Sequence, residues 1–204
     1  MTYHAARSDG TTDAPVLFTF HGTGGDETQF HALGRDLMPG ARVVSPRGDV
    51  SENGANRYFK RTGEGVYDMD DFWRASRKMA DFVAAERQDA PRVAGLGYSN
   101  GANILASVAM VAPRAFDAMV LMHPLIPFDL PAVDLSGLRV LITAGRRDPI
   151  CPAPLTDRLA QALGARGAAV ELVWHAGGHE IRPDDIEAAR GFLAVETSAA
   201  DPTS

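Results

Sequence analysis

Ser99 stands in the run Gly97-Tyr98-Ser99-Asn100-Gly101, where a β-prone stretch, Val93–Tyr98, meets a helical one, Asn100–Val111. A serine at such a junction is forced into a tight turn. Its close neighbours must then lack side chains, and its hydroxyl projects above the sheet. The free N–H groups of the following helix favour negative charge developing beside it. The chemistry this suits is nucleophilic attack on an acyl carbon. In a glycine-rich chain the letters carry little alone; the strand before and the helix after give them weight. A phosphate-holding loop is the alternative, but no Gly-Lys-Ser/Thr ending follows.

A serine hydroxyl needs a base, and the base needs a third group to fix its tautomer. In elbows of this kind the chain order is nucleophile, acid, histidine. His123, His175 and His179 lie downstream of Ser99. His123 precedes any suitable acid and breaks the order. His179 follows a β-prone run through Ala176-Gly177-Gly178, which places it on a loop at the carboxyl end of a strand, so it is the expected base. His175 is read as a supporting residue. Its i,i+4 spacing to His179 could suggest a metal pair, but the intervening glycines disfavour the helix such a pair needs, and no metal is expected. Asp148 follows the run Arg139–Ala144 through Gly145-Arg146-Arg147 and is the expected acid; the plainer role is a turn former before Pro149.

Upstream, Phe20-His21-Gly22-Thr23-Gly24-Gly25-Asp26 follows an apolar strand. Such a loop can turn a backbone N–H toward a carbonyl oxygen, and the residue after the nucleophile supplies the second donor. The expected oxyanion donors are therefore Thr23 and Asn100. His21 is expected to fix the loop, and Asp26 to cap the next helix.

These residues need a frame. Apolar runs at Val16–Phe20, Arg42–Ser45, Val93–Tyr98, 118–123, Arg139–Ala144 and 169–174 lack polar alternation, which fits strands buried on both faces. Helical patterns fall between them at 29–37, 70–88, Asn100–Val111, 154–163 and 183–195. Strand and helix in alternation predict an α/β fold with a mostly parallel sheet of six or seven strands and helices on both faces. Two connections stand out. The stretch 46–69 is long, glycine-rich and aromatic, and is read as a functional loop. The stretch 124–138 is too short to hold a cap, so an open site is expected. Its apolar wall would come from Leu125, Ile126, Phe128 and Ile150, with Tyr58 and Phe59 added by the long loop, while Arg57, Lys60 and Arg61 form a solvated face. An apolar mouth of this kind would also allow a homodimer.

Composition bounds the rest. The chain has 204 residues, 45% hydrophobic, with a formal net charge of -6. This suits a single domain over residues 1–195, with 196–204 read as a flexible tail. Without a basic run, nucleic acid is not an expected partner. Cys151 is the sole cysteine, so no internal disulfide forms. No leader pattern or membrane-length apolar stretch is visible, and the chain reads as cytoplasmic.

Taken together, His21-Gly-Thr-Gly-Gly-Asp26, Gly97-Tyr-Ser-Asn-Gly-Ala-Asn103, Ala144-Gly-Arg-Arg-Asp-Pro149 and Gly177-Gly-His-Glu180 resemble the phospholipase/carboxylesterase family of α/β-hydrolases. The likeness is greatest to its bacterial carboxylesterase branch, which includes hydroquinone-associated esterases; acyl-protein thioesterases are also members. The resemblance implies a Ser99–Asp148–His179 triad, Thr23 and Asn100 as oxyanion donors, a small-molecule ester as substrate and no cofactor. Thioester or lysophospholipid hydrolysis is the enzymatic alternative. A ligand-binding homologue without turnover is the alternative from another class. Two departures bear on substrate: thioesterase members tend to carry Gln where Asn100 stands, and dienelactone hydrolases, a related group, use cysteine where Ser99 stands.

Overall fold

All six apolar runs are strands in the computed structural model, which describes residues 2–198. The chain opens with β1 (Ala5–Ser8) and β2 (Val16–Phe20), then α1 (His31–Leu37) and β3 (Arg42–Pro46). Two small hairpins follow, β4 (Val50–Glu52) with β5 (Ala55–Arg57) and β6 (Arg61–Gly63) with β7 (Val66–Tyr67). Next come α2 (Met69–Arg87), β8 (Val93–Tyr98), α3 (Asn100–Val111), β9 (Ala118–Met122), β10 (Arg139–Gly145), α4 (Ala153–Gly164), β11 (Ala169–His175) and α5 (Pro183–Ser198). One seven-stranded sheet runs β1-β3-β2-β8-β9-β10-β11. It is parallel throughout except for β1, which pairs antiparallel with β3 at one edge.

Burial on both faces explains the unbroken apolar runs. Every residue of β2 and of β9 is buried. Along β2 the side chains alternate: Val16, Phe18 and Phe20 pack with α2 and α3, and Leu17 packs on the opposite face with α1 and α5. Each such side chain contributes about 1.5–3 kcal/mol by leaving water. The α2 helix starts at Asp68, whose carboxylate accepts the Asp71 N–H, and buries Phe72, Ala75, Met79, Phe82 and Val83 at helical spacing. Among the described residues, no helix is long and apolar enough to cross a membrane.

Three sequence expectations change. The stretch 46–69 is not one irregular loop but carries two hairpins; Asn53 and Gly54, both at positive φ, turn the first. The edge strand β1 carried no apolar pattern, and its residues are only half-buried or exposed. The last helix continues through Ser198, so 196–198 are helical where a tail was expected; the rest of that expected tail lies outside the described residues. The connection from β9 to β10 holds no helix or strand, and its Ile126, Leu130, Leu135 and Leu138 pack into the core.

Candidate active site

The carboxyl ends of the parallel strands gather the candidate groups. Ser99 lies between β8 and α3 at φ 53 and ψ -115, a conformation rarely taken by a residue with a side chain and costing about 1–3 kcal/mol. The flanking glycines are required by contact. A Cβ on Gly97 would come within 2.5 Å of the Gly101 carbonyl oxygen, and one on Gly101 within 2.2 Å of the Phe20 carbonyl oxygen. The elbow is thus pressed against the strand that carries the glycine-rich loop.

The expected base and acid meet the expected nucleophile. His179 Nε2 is 2.9 Å from Ser99 Oγ, and His179 Nδ1 is 2.7 Å from Asp148 Oδ2. A carboxylate only accepts, so Nδ1 carries the hydrogen and Nε2 is left to accept from the serine. Asp148 is also a turn former: its Oδ1 accepts the Ile150 and Cys151 N–H groups at 2.8 and 2.9 Å. Burial opposes its ionisation, but the Cys151 N–H, His179 and His123 outweigh that and hold the carboxyl below its usual range. The Asp148 and His179 loops touch so closely that a Cβ on Gly145 would sit 2.0 Å from the Gly178 carbonyl oxygen. Tyr98 donates to the His179 carbonyl at 2.7 Å and fixes that loop over the nucleophile.

The loop bearing Thr23 is held from several sides. The His21 ring stacks on Tyr58 at 4.7 Å, donates from Nδ1 to the Gly22 carbonyl and accepts the Gly48 N–H at Nε2. Gly22 donates to Gln29 Oε1 at 2.9 Å. His21 therefore fixes the loop as expected. Asp26 does not cap a helix: its carboxylate takes the Thr28 N–H and hydroxyl in a local turn, and α1 begins only at His31. Thr23 and Asn100 both line the cleft at Ser99. Among the described residues, neither of their N–H groups is taken up by a backbone carbonyl of a turn, loop or cap.

The walls of the cleft differ from expectation. Leu125 and Ile150 line it, but Arg57, Arg61, Glu64, Tyr67 and Asn103 make it polar. It is narrow, with a volume of ≈ 20 Å³, space for about one or two waters. Tyr58 and Phe59 are core residues instead. Tyr58 is fully buried, with its hydroxyl accepting from His21 N–H and donating to the Pro46 carbonyl, and Phe59 packs on Phe72. Ile126 and Phe128 line a separate cavity beside Arg158 and Arg166. Nor is Arg57 on a solvated face. It is 2% exposed and donates to Thr23 Oγ1 at 2.6 Å, because the Asn53-Gly54 hairpin folds it back into the site. Arg61 is paired with Glu52 and Glu64. A larger hollow of ≈ 310 Å³ beside Asp9, Arg42 and Arg87 lies at the start of β3, far from these groups in the fold.

Chain order excludes His123 as the base, yet it lies directly behind Asp148. It is fully buried, and its Nδ1 is 3.0 Å from the same Asp148 Oδ2. His175, as expected, supports and does not reach the serine: its Nε2 lies 3.3 Å from His123 Nε2. With Asp185 these imidazoles are close enough to hold an ion. However, His175 Nδ1 accepts the Gly177 N–H at 3.0 Å, so its hydrogen belongs on the Nε2 that a metal would need. The residues therefore fit a hydrogen-bonded cluster better than a metal centre.

The sequence matches the model of the dienelactone hydrolase family over residues 54–189. It is 40% identical over 188 residues to MhqD of Bacillus subtilis (strain 168), which is named as a hydrolase, covering 89% of this chain and 92% of that one. A solved structure of the protein Atu2452 of Agrobacterium tumefaciens str. C58, of unknown function, is 56% identical with a TM-score of 0.90, covering 95% of this chain and 96% of that one. A carboxylesterase from Bacillus cereus is 34% identical with a TM-score of 0.89, covering 95% and 94%.

Proposed function

The chain belongs to the dienelactone hydrolase family, and from that premise we propose that it is a serine carboxylesterase working through an acyl-enzyme. The observation that carries this reading is the unbroken chain Ser99 Oγ to His179 Nε2 to Asp148, at 2.9 and 2.7 Å. His179 takes the Ser99 proton as Oγ attacks the ester carbonyl. Asp148 stabilises the imidazolium that forms. The N–H groups of Thr23 and Asn100 receive the oxyanion, each worth about 3 kcal/mol of transition-state stabilisation. His179 then gives its proton to the leaving alcohol, and water, activated by the same imidazole, releases the acid. The steps require no cofactor.

Two features support serine, not cysteine, as nucleophile. Ser99 occupies the strained elbow. Cys151 is buried, its thiol lies 3.2 Å from the His123 carbonyl, and burial pushes its ionisation well up. The narrow polar cleft favours esters with a short, polar acyl group over long-chain lipids. A serine-directed fluorophosphonate tests the assignment: the expected product is a single adduct on the peptide containing Ser99, with loss of p-nitrophenyl acetate hydrolysis. Folded protein that leaves Ser99 unmodified would overturn the reading.

A further inference from the structure

Behind the triad lies a buried cluster that the mechanism above does not use. His123 is fully buried, and its backbone adopts φ 52 immediately after β9, a conformation bulky side chains seldom take. The groups facing it are Asp148 and His179 from two loops, His175 from β11, Asp185 from α5 and Tyr98 from β8, with the Cys151 thiol on its carbonyl. No lysine or arginine is among them.

The hydrogens in this cluster can be assigned by elimination. Gly177 N–H points at His175 Nδ1, so neutral His175 carries its hydrogen on Nε2. That Nε2 faces His123 Nε2 at 3.3 Å and Asp185 Oδ2 at 3.5 Å. His123 Nε2 is then the acceptor, and its hydrogen sits on Nδ1, aimed at Asp148 Oδ2 at 3.0 Å. If His123 gains a second proton, Nδ1 keeps its own, so the bond to Asp148 survives in both states. Asp185 anchors the far end; its Oδ2 accepts the Arg182 N–H at 2.7 Å.

We infer that His123, oriented by His175 and Asp185, is a positioning residue for the reaction, supplying the second N–H on the Asp148 oxygen that receives His179. The inference rests on the esterase reading. Its consequence follows from counting donors. Oδ1 takes two backbone N–H groups and Oδ2 takes two imidazoles, so the carboxylate cannot rotate, and its hold on His179 is shared. Burial alone would push the His123 imidazolium down, but Asp185 and Asp148 outweigh it and raise its pKa, which keeps a positive end near Asp148 at mildly acid pH. Both effects keep Asp148 ionised as pH falls and so extend activity toward lower pH.

The test compares wild type, His123→Ala and His123→Asn on p-nitrophenyl acetate across pH. Fluorophosphonate labelling of wild type comes first; no adduct at Ser99 means the esterase reading has failed, separately from this one. With an adduct, His123→Ala should lose about tenfold to a hundredfold in kcat, the worth of one charge-assisted hydrogen bond, with KM within about twofold. Its acid limb should move to higher pH. Asn tolerates positive φ and carries an amide nitrogen near the place of Nδ1 but no charge, so His123→Asn should recover most of kcat and place the limb between those of His123→Ala and wild type. Equal impairment of both variants with an unmoved limb, or an unimpaired His123→Ala, overturns the inference. Where His123→Ala does not fold, ¹⁵N-histidine NMR of wild type decides: a hydrogen on His123 Nδ1 is expected, and its absence overturns the proposal.

Discussion

Three histidines converge within hydrogen-bonding reach of one another or of Asp148, and each has a different load. On the mechanism proposed above, His179 would carry the proton of the reaction, His123 would steady the acid through its contact with Asp148, and His175 would steady His123. Ser99→Ala and His179→Ala should therefore each lower kcat by about 10⁴–10⁶, since members of a triad fail as a unit. His175→Ala should cost far less, about tenfold to a hundredfold, because it acts through two intermediaries. Steady-state kinetics on p-nitrophenyl acetate checks all three, and a greater loss at His175 than at His179 would reverse their roles. The meeting of Ser99, Asp148 and His179 is legible because chain order and strand ends select them. His123 was not, because its contribution is a contact across the sheet between residues 25 apart, and chain order says nothing of that. Arg57 was missed for another reason: a run of arginines is usually solvated, and only the hairpin fold buries this one.

The elements that place these residues are joined at backbone level. Gly101 sits so close to the end of β2 that any side chain must push the elbow away from the loop bearing Thr23. Gly101→Ala should destabilise the protein by about 1–3 kcal/mol, or roughly 2–12 °C in Tm for a domain of this size, and should also reduce kcat. Scanning calorimetry beside the ester assay checks both; a wild-type Tm would show that the strand end yields freely. The parallel strands and the long helices could be read from the sequence, since burial on both faces leaves continuous apolar runs and helix faces keep their period. The edge strand β1 could not, since it is held by pairing with β3 and not by apolar burial. The hairpin at Asn53-Gly54 did carry a local signal, an Asn-Gly pair between short extended segments.

Across the whole molecule, Glu27 ties the loop that follows β2 to the residues flanking β3 and β1. Its carboxylate receives two bonds from Arg47, which follows β3, and one contact from His4, which precedes β1. The Arg47 bond holds the Glu27 pKa down to about 2 against an ordinary value of 4.5. A carboxylate depressed on folding stabilises above its unfolded pKa, and that stability is lost as pH falls through the folded one. Glu27→Gln should therefore lower Tm at pH 7, and its deficit should close as pH drops from about 4.5 toward about 2. A deficit that stays constant over that range would mean the ion pair contributes nothing. The comparison is best made at low salt, because Arg47 is partly exposed and its pairing is screened.

The machinery is also dispersed along the chain in a way that matters during synthesis. The loop bearing Thr23 and then Ser99 leave the ribosome first, Asp148 later, and His179 only after β11, an edge strand of the sheet, has been made. Ser99 reaches the base only when β11 has docked on β10 and the Gly177–Gly178 turn has closed over Gly145. On the proposed mechanism, a nascent or prematurely terminated chain would hold the serine without its base. Reactivity toward esters would then begin only with near-completion of the polypeptide.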